Sequence, residues 1–478
     1  GRFGLGFCSS YHFTDVPQIL SGEYLLLLDP HATIVPGALP VAPGLRIRFL
    51  NAHLPKAFPD QFVPFAALGC ELGTEKYSGT MIRLPLRSKS AAERSEISRR
   101  SYTSDSALSI LDHFKSVAND ILLFLRNVAQ IDVYLLDDTE SLRHQYSVSA
   151  CERQFGAQGP WPNEHESTTS LIADGPLRLR RPRPFVDDVK TLFDGDACGS
   201  SFYSRLSATP KDKLPKCIYE LQIRFNTCNG EVKKYDYLIS TVIGGGHALE
   251  MACDPQHREY KFIPLGSVAA PLNVECINSR VFCFLPLPAR SGLPVAINSY
   301  FELSSSRQDI YYGEDAASMV GKIRSEWNDS VIRNAVARAY AEVLLAMKQI
   351  KHLSVPPIEL WPLQNLKLRP WIACQESLFQ FARELPLVQS SLDSAVDIKP
   401  SRAIGYDPND TRASKIVQLL LKERLPVVCI EDDHLRNALK THGCFGGFLS
   451  PKLVRSFYTQ YGSTIKDKKQ RRPSLVDP

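Results

Sequence analysis

The residues best suited to chemistry stand at the start of the chain, where three glycines recur within residues 1–7. Gly1, Gly4 and Gly6 form a Gly-x-x-Gly-x-Gly pattern that leads into a predicted helix. Glycine permits positive φ and close backbone approach to a ligand, and a helix N-terminus adds partial positive charge. The pattern therefore predicts a site for an anion such as phosphate. The alternative, a glycine turn that merely leads into a helix, stays open on spacing alone.

The sequence around these glycines resembles known families. Gly-Arg-Phe-Gly-Leu-Gly-Phe followed by Cys-Ser-Ser-Tyr, residues 1–11, resembles the segment that closes the ATP lid in the heat-shock protein 90 and GHKL ATPase superfamily. The continuation Tyr-His-Phe-Thr-Asp-Val-Pro at 11–17, with Ser-Gly at 21–22 and Leu-Asp-Pro-His at 28–31, is similar to the repeat region of the sacsin family. We take a sacsin-like repeat as the working interpretation.

The resemblance implies a nucleotide site to which this chain contributes a part. The residues Gly1, Gly4, Leu5, Gly6 and Phe7 are expected to bind the phosphates of ATP or ADP, chiefly through backbone N–H groups. The family's helix with the catalytic Glu and the metal-binding Asn lies upstream of residue 1, as does its Asp-x-Gly-x-Gly segment that reads adenine. We therefore expect a fragment, in which ATP or ADP with Mg²⁺ binds only together with the upstream part. No catalytic or metal-binding residue is assigned within the chain.

A second part of the implied site is a strand near residue 80. Gly-Thr-Met-Ile-Arg-Leu-Pro-Leu at residues 79–86 resembles the last strand of the GHKL nucleotide domain, whose Thr lies near the adenine. The resemblance implies that Thr80 contacts the base through its hydroxyl. The alternative is that Thr80 is present because threonine suits a β-strand.

A third part is an arginine far along the chain. Residues 280–303, together with Lys-Ile-Arg-Ser-Glu-Trp-Asn at 322–328, resemble the second half of a sacsin repeat. In heat-shock protein 90 a middle-domain Arg from a loop after such a strand reaches the γ-phosphate, and Arg307 stands where that residue is expected. A guanidinium suits this role because its planar fork pairs with phosphate oxygens. The family often has two consecutive Args here, whereas this chain has Arg307-Gln308, and the alternative role is a structural ion pair.

Composition and charge indicate a soluble protein of several domains. At roughly 150 residues per domain, 478 residues predict about three domains. The net charge of +5 is small beside 56 basic and 51 acidic residues, so it gives no reason to expect nucleic acid as a partner. No apolar run approaches the ~20 residues that span a bilayer. The 12 cysteines lack a Cys-x-x-Cys pair, which predicts reduced thiols in a cytoplasmic protein.

Periodicity and resemblance together predict an α/β (α+β) fold in three parts. Residues 1–88 are expected to form the C-terminal part of a GHKL (Bergerat) nucleotide-binding sandwich. Residues 104–350 are expected to form a heat-shock protein 90 middle-like mixed α/β domain with a loop insertion near 151–216. Residues 353–478 are expected to form a C-terminal α/β extension of the repeat that ends in a basic tail.

The hydrophobic pattern also predicts individual elements. Residues 39–64 are expected to be irregular, and residues 88–102 to form a linker. Three glycines at 244–246 suggest a second phosphate loop, for which a flexible turn into a new element is the favoured alternative. The clearest predicted elements are helices at 6–14, at 323–350 and from about 104, and strands at 23–29, 81–86, 131–136, 217–225, 235–243, 280–288 and 425–430.

The resemblance implies a chaperone or co-chaperone repeat that acts in protein folding and quality control. The expected partners are protein clients and chaperones of the heat-shock protein 70 system, with cytoskeletal filaments as a further class, and neither nucleic acid nor membrane. Two hypotheses stay open: a binding scaffold with an incomplete nucleotide site, which we favour for this fragment, or an active GHKL ATPase in the full-length protein. The upstream Glu that acts as general base would separate them. A weaker third hypothesis, likeness to GHKL mismatch-repair proteins, predicts DNA binding, which the small net charge does not support.

Overall fold

The computed structural model describes residues 6–49, 54–67, 70, 76–125, 128–136, 141–157, 161, 200–273, 279–312, 318–350, 354–393, 396–410 and 413–456. Two compact units divide the chain. The first holds Gly1–Cys151, Pro160–Arg181 and Ile223–Lys234, and the second holds Glu152–Gly159, Pro182–Gln222 and Tyr235–Pro478. Both mix helices with sheets, which confirms the predicted α/β class. The boundaries at 1–88, 104–350 and 353–478, and the GHKL and heat-shock protein 90 middle-like assignments, stay predictions.

The first unit contains a four-stranded antiparallel sheet in the order β3-β2-β1-β4. Gly22, at φ 59°, permits the two-residue turn between the first two strands. One face of the sheet buries Leu20, Leu25 and Met81 against Phe62 and Phe65 of a short helix. The strands are β1 (Gln18–Gly22), β2 (Tyr24–Leu28), β3 (Gly44–Arg48) and β4 (Tyr77–Arg83), and the helices beside them are the 3₁₀ helix Phe7–His12, α1 (Leu54–Ala57) and α2 (Pro59–Ala66).

Two predictions for this unit were wrong. Residues 39–64, expected to be irregular, contain β3, α1 and α2. Residues 88–102, expected to be a linker, contain α3 (Lys89–Arg94) and the buried Tyr102. The helix predicted from about residue 104 is present as α4 (Ser104–Ile121), and its N-cap is Thr103, which forms a reciprocal capping box with Ser106. The hairpin strands β5 (Gln130–Leu136) and β6 (Leu142–Gln154) follow.

The second unit is built around a larger sheet in which six strands run in the order β11-β10-β12-β9-β8-β7, with residues 223–227 of β7 and 232–234 of β8 counted in the first unit. The predicted strand at 280–288 is broken at Phe284, whose φ of 65° turns the chain into a tight hairpin. The strands are β7 (Lys216–Thr227), β8 (Val232–Ile243), β9 (Leu265–Pro271), β10 (Arg280–Cys283), β11 (Leu285–Arg290) and β12 (Ala296–Ser299), and the helices are α5 (Ser200–Ala208), α6 (Gly246–Cys253), α7 (Met319–Val331), α8 (Ala337–Met347) and α9 (Arg369–Arg383).

A π-helical segment, Ile332–Val336, joins α7 to α8 and lies directly against the sheet. A Cβ built on Gly244 would lie 2.7 Å from the Cβ of Ala335, and one on Gly266 would lie 2.4 Å from the carbonyl carbon of Ala335. Gly246, at φ 56°, begins α6 beside the side chain of Asn334. Close packing on the π-helical segment accounts for Gly244, and the start of α6 accounts for Gly246. The start of a new element at this point agrees with the favoured alternative to a phosphate loop.

The C-terminal part of this unit is a small parallel sheet in the order β16-β15-β17. Parallel neighbours need crossover connections, and helices α10 and α11 supply them. Phe379 of α9 packs with Leu439 and Cys444, which attaches this sheet to the larger body of the unit. The elements are the short hairpin strands β13 (Val388–Gln389) and β14 (Asp397–Ile398), then β15 (Ile404–Tyr406), α10 (Ala413–Lys422), β16 (Val427–Cys429), α11 (Asp433–Thr441) and β17 (Gly447–Phe448).

Candidate functional site

The predicted phosphate segment is described only at its end. Gly1, Gly4 and Leu5 lie outside the described residues. Gly6 has the right-handed helical angles φ −58° and ψ −45° and precedes the 3₁₀ helix that Phe7 begins. A Cβ on Gly6 would meet no atom of a described residue within 4 Å, so neither positive φ nor packing against that part of the chain requires glycine here. The phosphate roles of all five residues stay predictions.

A buried arginine, Arg87, fixes the other end of this 3₁₀ helix. Its side chain is 0% exposed and pairs with Asp15, whose Oδ1 lies 2.7 Å from Nη2 and 3.0 Å from Nε. Nη2 also donates to the carbonyl oxygen of Tyr11 at 2.9 Å, and Nη1 donates to those of His12 and Arg100 at 3.0 and 3.2 Å. Such full pairing is what a buried guanidinium requires. We call Arg87, Asp15 and these carbonyls the Arg87 anchor.

Neighbouring groups extend the Arg87 anchor to the segment after β4. Ser95 donates from its hydroxyl to Oδ1 of Asp15 at 2.8 Å. The backbone N–H of Arg87 donates to Phe13 O, Tyr102 N–H donates to Arg87 O, and the Phe13 and Tyr102 rings lie 5.3 Å apart. The anchor therefore ties the Tyr-His-Phe-Thr-Asp residues of the family resemblance to the end of the strand that carries Thr80. The sequence signalled it only through the opposite charges of Asp15 and Arg87, which stand 72 positions apart.

Thr80 lies in β4 on the face of the sheet that is turned away from Phe62 and Phe65. Its Oγ1 is 3.0 Å from the Oγ of Ser21, its partner across the strand pair. Thr80 is exposed, and on the same face Ile82 is 55% exposed. The hydroxyl is thus held in place on an accessible surface. The adenine contact stays a prediction.

Arg307 lies at the exposed tip of a hairpin in the second unit. Leu303 and Ile310 pair at its base, and we call residues 303–310 the Arg307 hairpin. Arg307 has the left-handed φ of 57°, and its N–H donates to Ser304 O at 2.9 Å. A non-glycine residue in this conformation stores strain of about 1 kcal/mol or more, and such strain is concentrated at functional sites. The phosphate contact and the structural ion pair both stay predictions for Arg307.

Three residues of α7 hold the base of the Arg307 hairpin. Asn328, 0% exposed, donates from Nδ2 to Glu302 O at 2.8 Å and Tyr311 O at 2.7 Å, while its Oδ1 accepts from Glu302 N–H at 2.9 Å. Arg324 pairs with the Glu302 carboxylate at 2.9 Å and donates to the carbonyl oxygen of Leu303 at 2.7 Å.

Trp327, the third of these residues, donates from Nε1 to Tyr300 O at 2.8 Å and stacks on Phe262 with ring centroids 4.2 Å apart. We call Arg324, Trp327 and Asn328 the α7 clamp. All three belong to the Lys-Ile-Arg-Ser-Glu-Trp-Asn segment on which the family resemblance rests. Their role is therefore to position the hairpin that presents Arg307.

His247 has two acidic neighbours in the structure. Its Nε2 lies 2.8 Å from Oε1 of Glu326, and its Nδ1 lies 3.4 Å from Oε2 of Glu250. The hydrogen bond with Glu326, assisted by Glu250, raises the pKa of His247, because both carboxylates favour the imidazolium.

Among the described residues no group of three or more His, Cys, Asp or Glu side chains is arranged to hold a metal ion. Nor is any helix in that part of the chain long and apolar enough to cross a membrane.

Comparison with known proteins agrees with the residues that carry the resemblance. The family model of the Sacsin domain matches residues 1–147, a stretch that contains the Arg87 anchor and Thr80. The human protein named Sacsin is 28% identical over 364 residues, which cover 73% of this chain and 7% of that protein. These similarities confirm the interpretation of the chain as a sacsin-like protein. It spans a small part, 7%, of the length of this relative.

Proposed function

We propose that this chain is a sacsin-type repeat that acts in protein folding and quality control by binding clients or partner chaperones. The observation that carries the proposal is an exposed connection between β2 and β3, residues 30–43, which we call the apolar loop. Ile34, Leu39 and Val41 are 52%, 56% and 91% exposed, and the loop contains no Lys, Arg, Asp or Glu. Several exposed apolar side chains within one short connection are typical of protein-binding surfaces.

The apolar loop is held in a defined shape. The buried carboxylate of Asp29 accepts hydrogen bonds from the N–H groups of Ile34 and Val35, both at 2.8 Å. Burial alone would raise the pKa of Asp29, but the hydrogen bonds from four backbone amides outweigh it and lower the pKa. Leu39 and Ala42 pair through two backbone hydrogen bonds near the tip. Such a surface loses little conformational freedom when it binds.

The proposed setting is the cytoplasm. The cysteines of the described residues number ten and form no disulfide, as expected in a reducing compartment. Clients and chaperones of the heat-shock protein 70 system are the proposed partners, and cytoskeletal filaments are a further class.

The test is suppression of aggregation. Citrate synthase is heated with and without an equimolar amount of the chain, in the absence of ATP, and light scattering is followed. We expect the chain to lower the scattering, whereas bovine serum albumin at the same concentration leaves it unchanged. Scattering equal in the two samples would contradict the scaffold function.

A second candidate, an ATP-hydrolysing chaperone in the full-length protein, is supported by the Arg307 hairpin. An arginine on an exposed turn whose flanking residues are held by the α7 clamp is suited to pair with a phosphate that arrives from elsewhere. Mg-ADP is titrated calorimetrically into this chain and into one extended upstream by the helix and the Asp-x-Gly-x-Gly segment that the resemblance implies. Binding by the extended chain, with ATP hydrolysis lowered at least tenfold by Arg307→Ala and unchanged by Gln308→Ala, is expected for this candidate. Binding by neither chain would exclude it.

A further inference from the structure

We infer that the open edge of β3, together with the apolar loop before it, binds an extended acidic segment of a client as an additional β-strand. The inference rests on the proposed scaffold function. It adds the surface, the binding mode and the chemistry of the segment that is bound.

The backbone of β3 has hydrogen-bonding groups to offer. In the part of the chain that the structure describes, β3 is the last strand on its side of the sheet. Leu28 N–H donates to Pro17 O and Phe49 N–H donates to Glu23 O, and these two bonds fix the alternation of the ladder. It follows that the N–H and C=O groups of Arg46 and Arg48 point away from β2. An extended peptide can bind to such an edge through its own backbone, largely without regard to its sequence.

The side chains of β3 decide which peptide fits. Arg48 pairs with Glu23 at 2.8 Å. The guanidinium of Arg46 lies 3.9 Å from the centre of the Tyr24 ring, and no carboxylate of a described residue forms an ion pair with it. Opposite charges on neighbouring strands attract, so an Asp or Glu in the added strand is favoured beside Arg46. Leu39 and Val41, just before the strand, favour apolar residues in the same segment.

The same charges argue against a second copy of this chain as the occupant. Antiparallel pairing of two β3 edges would place arginines of one copy beside arginines of the other, and like charges across strands repel. The strand has only five residues. A stable interface between two folded proteins buries ~800 Å² on each partner, which takes about 20–30 residues a side. A short acidic segment of an unfolded client avoids the repulsion between arginines and fits an edge of five residues.

The experiment uses reduced, carboxymethylated α-lactalbumin, an acidic and permanently unfolded protein, labelled with a fluorophore. Its binding to the full chain is measured by anisotropy. We expect Arg46→Glu to weaken binding about tenfold, Arg46→Lys to leave it nearly unchanged, and the double variant Leu39→Ser with Val41→Ser to weaken it as well. The matched control is Leu285→Ser, which changes a 53% exposed leucine of the second unit and leaves binding unchanged.

A second measurement tests the binding mode. Addition of the probe is expected to slow hydrogen exchange at the amides of Arg46 and Arg48, and exchange that is unchanged there would overturn the inference. If Arg46→Glu and the serine variant bind as tightly as the unmodified chain, this inference fails while the scaffold function stands. If the unmodified chain does not bind the probe and does not suppress aggregation, both fail. Binding to phosphatidylserine vesicles in place of the probe would also overturn the inference.

Discussion

At the scale of single residues, the Arg87 anchor makes the sharpest prediction. Arg87→Met leaves the Asp15 carboxylate buried without its cation, and removing one partner of a buried pair costs roughly 3–5 kcal/mol. The free energy of unfolding of the first unit is measured by chemical denaturation with circular dichroism as the signal. The control is Arg48→Met, because Arg48 is 65% exposed and its pair with Glu23 contributes only about 0–1 kcal/mol.

The double variant Arg87→Met with Asp15→Asn identifies the cause of that loss. It leaves no unpaired charge, so we expect it to be more stable than Arg87→Met alone. A double variant that is less stable than the single one would show that the lost packing of the arginine, and not the buried charge, is responsible.

Asn328 carries the second prediction at this scale. Asn328→Ala removes the hydrogen bonds that Asn328 makes with the N–H and C=O of Glu302 and with the C=O of Tyr311, although the C=O of Glu302 keeps the bond from Tyr311 N–H. The loss of a hydrogen bond at a buried polar group costs about 1–3 kcal/mol. We expect lower stability of the second unit and faster hydrogen exchange across residues 303–310. Gln308→Ala, an exposed change in the same hairpin, should leave both unchanged. Normal exchange rates in Asn328→Ala would show that the α7 clamp does not position the Arg307 hairpin.

At the scale of elements, glycines separate two physical situations. Gly266→Ala forces a Cβ to within 2.4–2.7 Å of the backbone of Ala335 and Val336, so either the sheet or the π-helical segment has to move. We expect a loss of about 1–3 kcal/mol in unfolding free energy. The methyl group of Gly6→Ala meets no described residue within 4 Å, and the backbone keeps helical angles, so the substitution should be neutral or stabilise by about 0.4–1 kcal/mol. Equal effects of the two substitutions would contradict the packing role of Gly266.

The elements also show what the sequence could predict. Long periodic segments such as Val232–Ile243 and Ser104–Ile121 were predicted correctly, because one buried face imposes its period over many residues. Strand β3 was missed, since its four alternating residues after Gly44 stand among prolines that favour irregular structure. Phe284 was missed as well, because its left-handed conformation follows from tertiary packing and not from residue type.

For the candidate site, the sequence indicated individual residues but not the contacts that hold them. The resemblance singled out Arg307 and the segment of the α7 clamp, but not the contacts of the clamp with the residues that flank the Arg307 hairpin, such as Tyr311 and Tyr300, which lie 17 and 27 positions away from their partners. The Arg87 anchor was missed because an Arg and an Asp separated by 72 positions have no local pattern. Contacts of this kind are set by the fold as a whole, so only the structure reveals them.

At the scale of the whole molecule, two histidines of the second unit make stability depend on pH in opposite directions. Burial lowers the pKa of His442, whose ring stacks on Phe379 at 4.3 Å, although Glu376 acts weakly the other way. The unfolded chain, with a His pKa of about 6.5, then binds a proton first as pH falls. The contribution of His442 is complete above pH ~6.5 and is lost as pH falls below it.

The contribution of His247 to stability changes on the alkaline side of pH ~6.5. Its pKa is raised by Glu326 and Glu250, so its contribution is complete below pH ~6.5 and is lost as pH rises through the folded-state pKa. Because the His247 side chain is 51% exposed, solvent screening keeps this contribution small.

Together the two residues favour a maximum of stability near pH ~6.5, and variants separate their contributions. We expect the thermal midpoint of His442→Gln, relative to the unmodified chain, to rise as pH falls from about 7 to 5. In the unmodified chain the unfolded state binds a proton at His442 and is thereby stabilised, whereas Gln at this position binds none. The difference for His247→Gln should shrink as pH rises from about 6.5 to 8.5. A constant offset for His442→Gln across the acid range would show that its ring is not desolvated in the fold, and that the stack on Phe379 contributes to stability without changing the pKa.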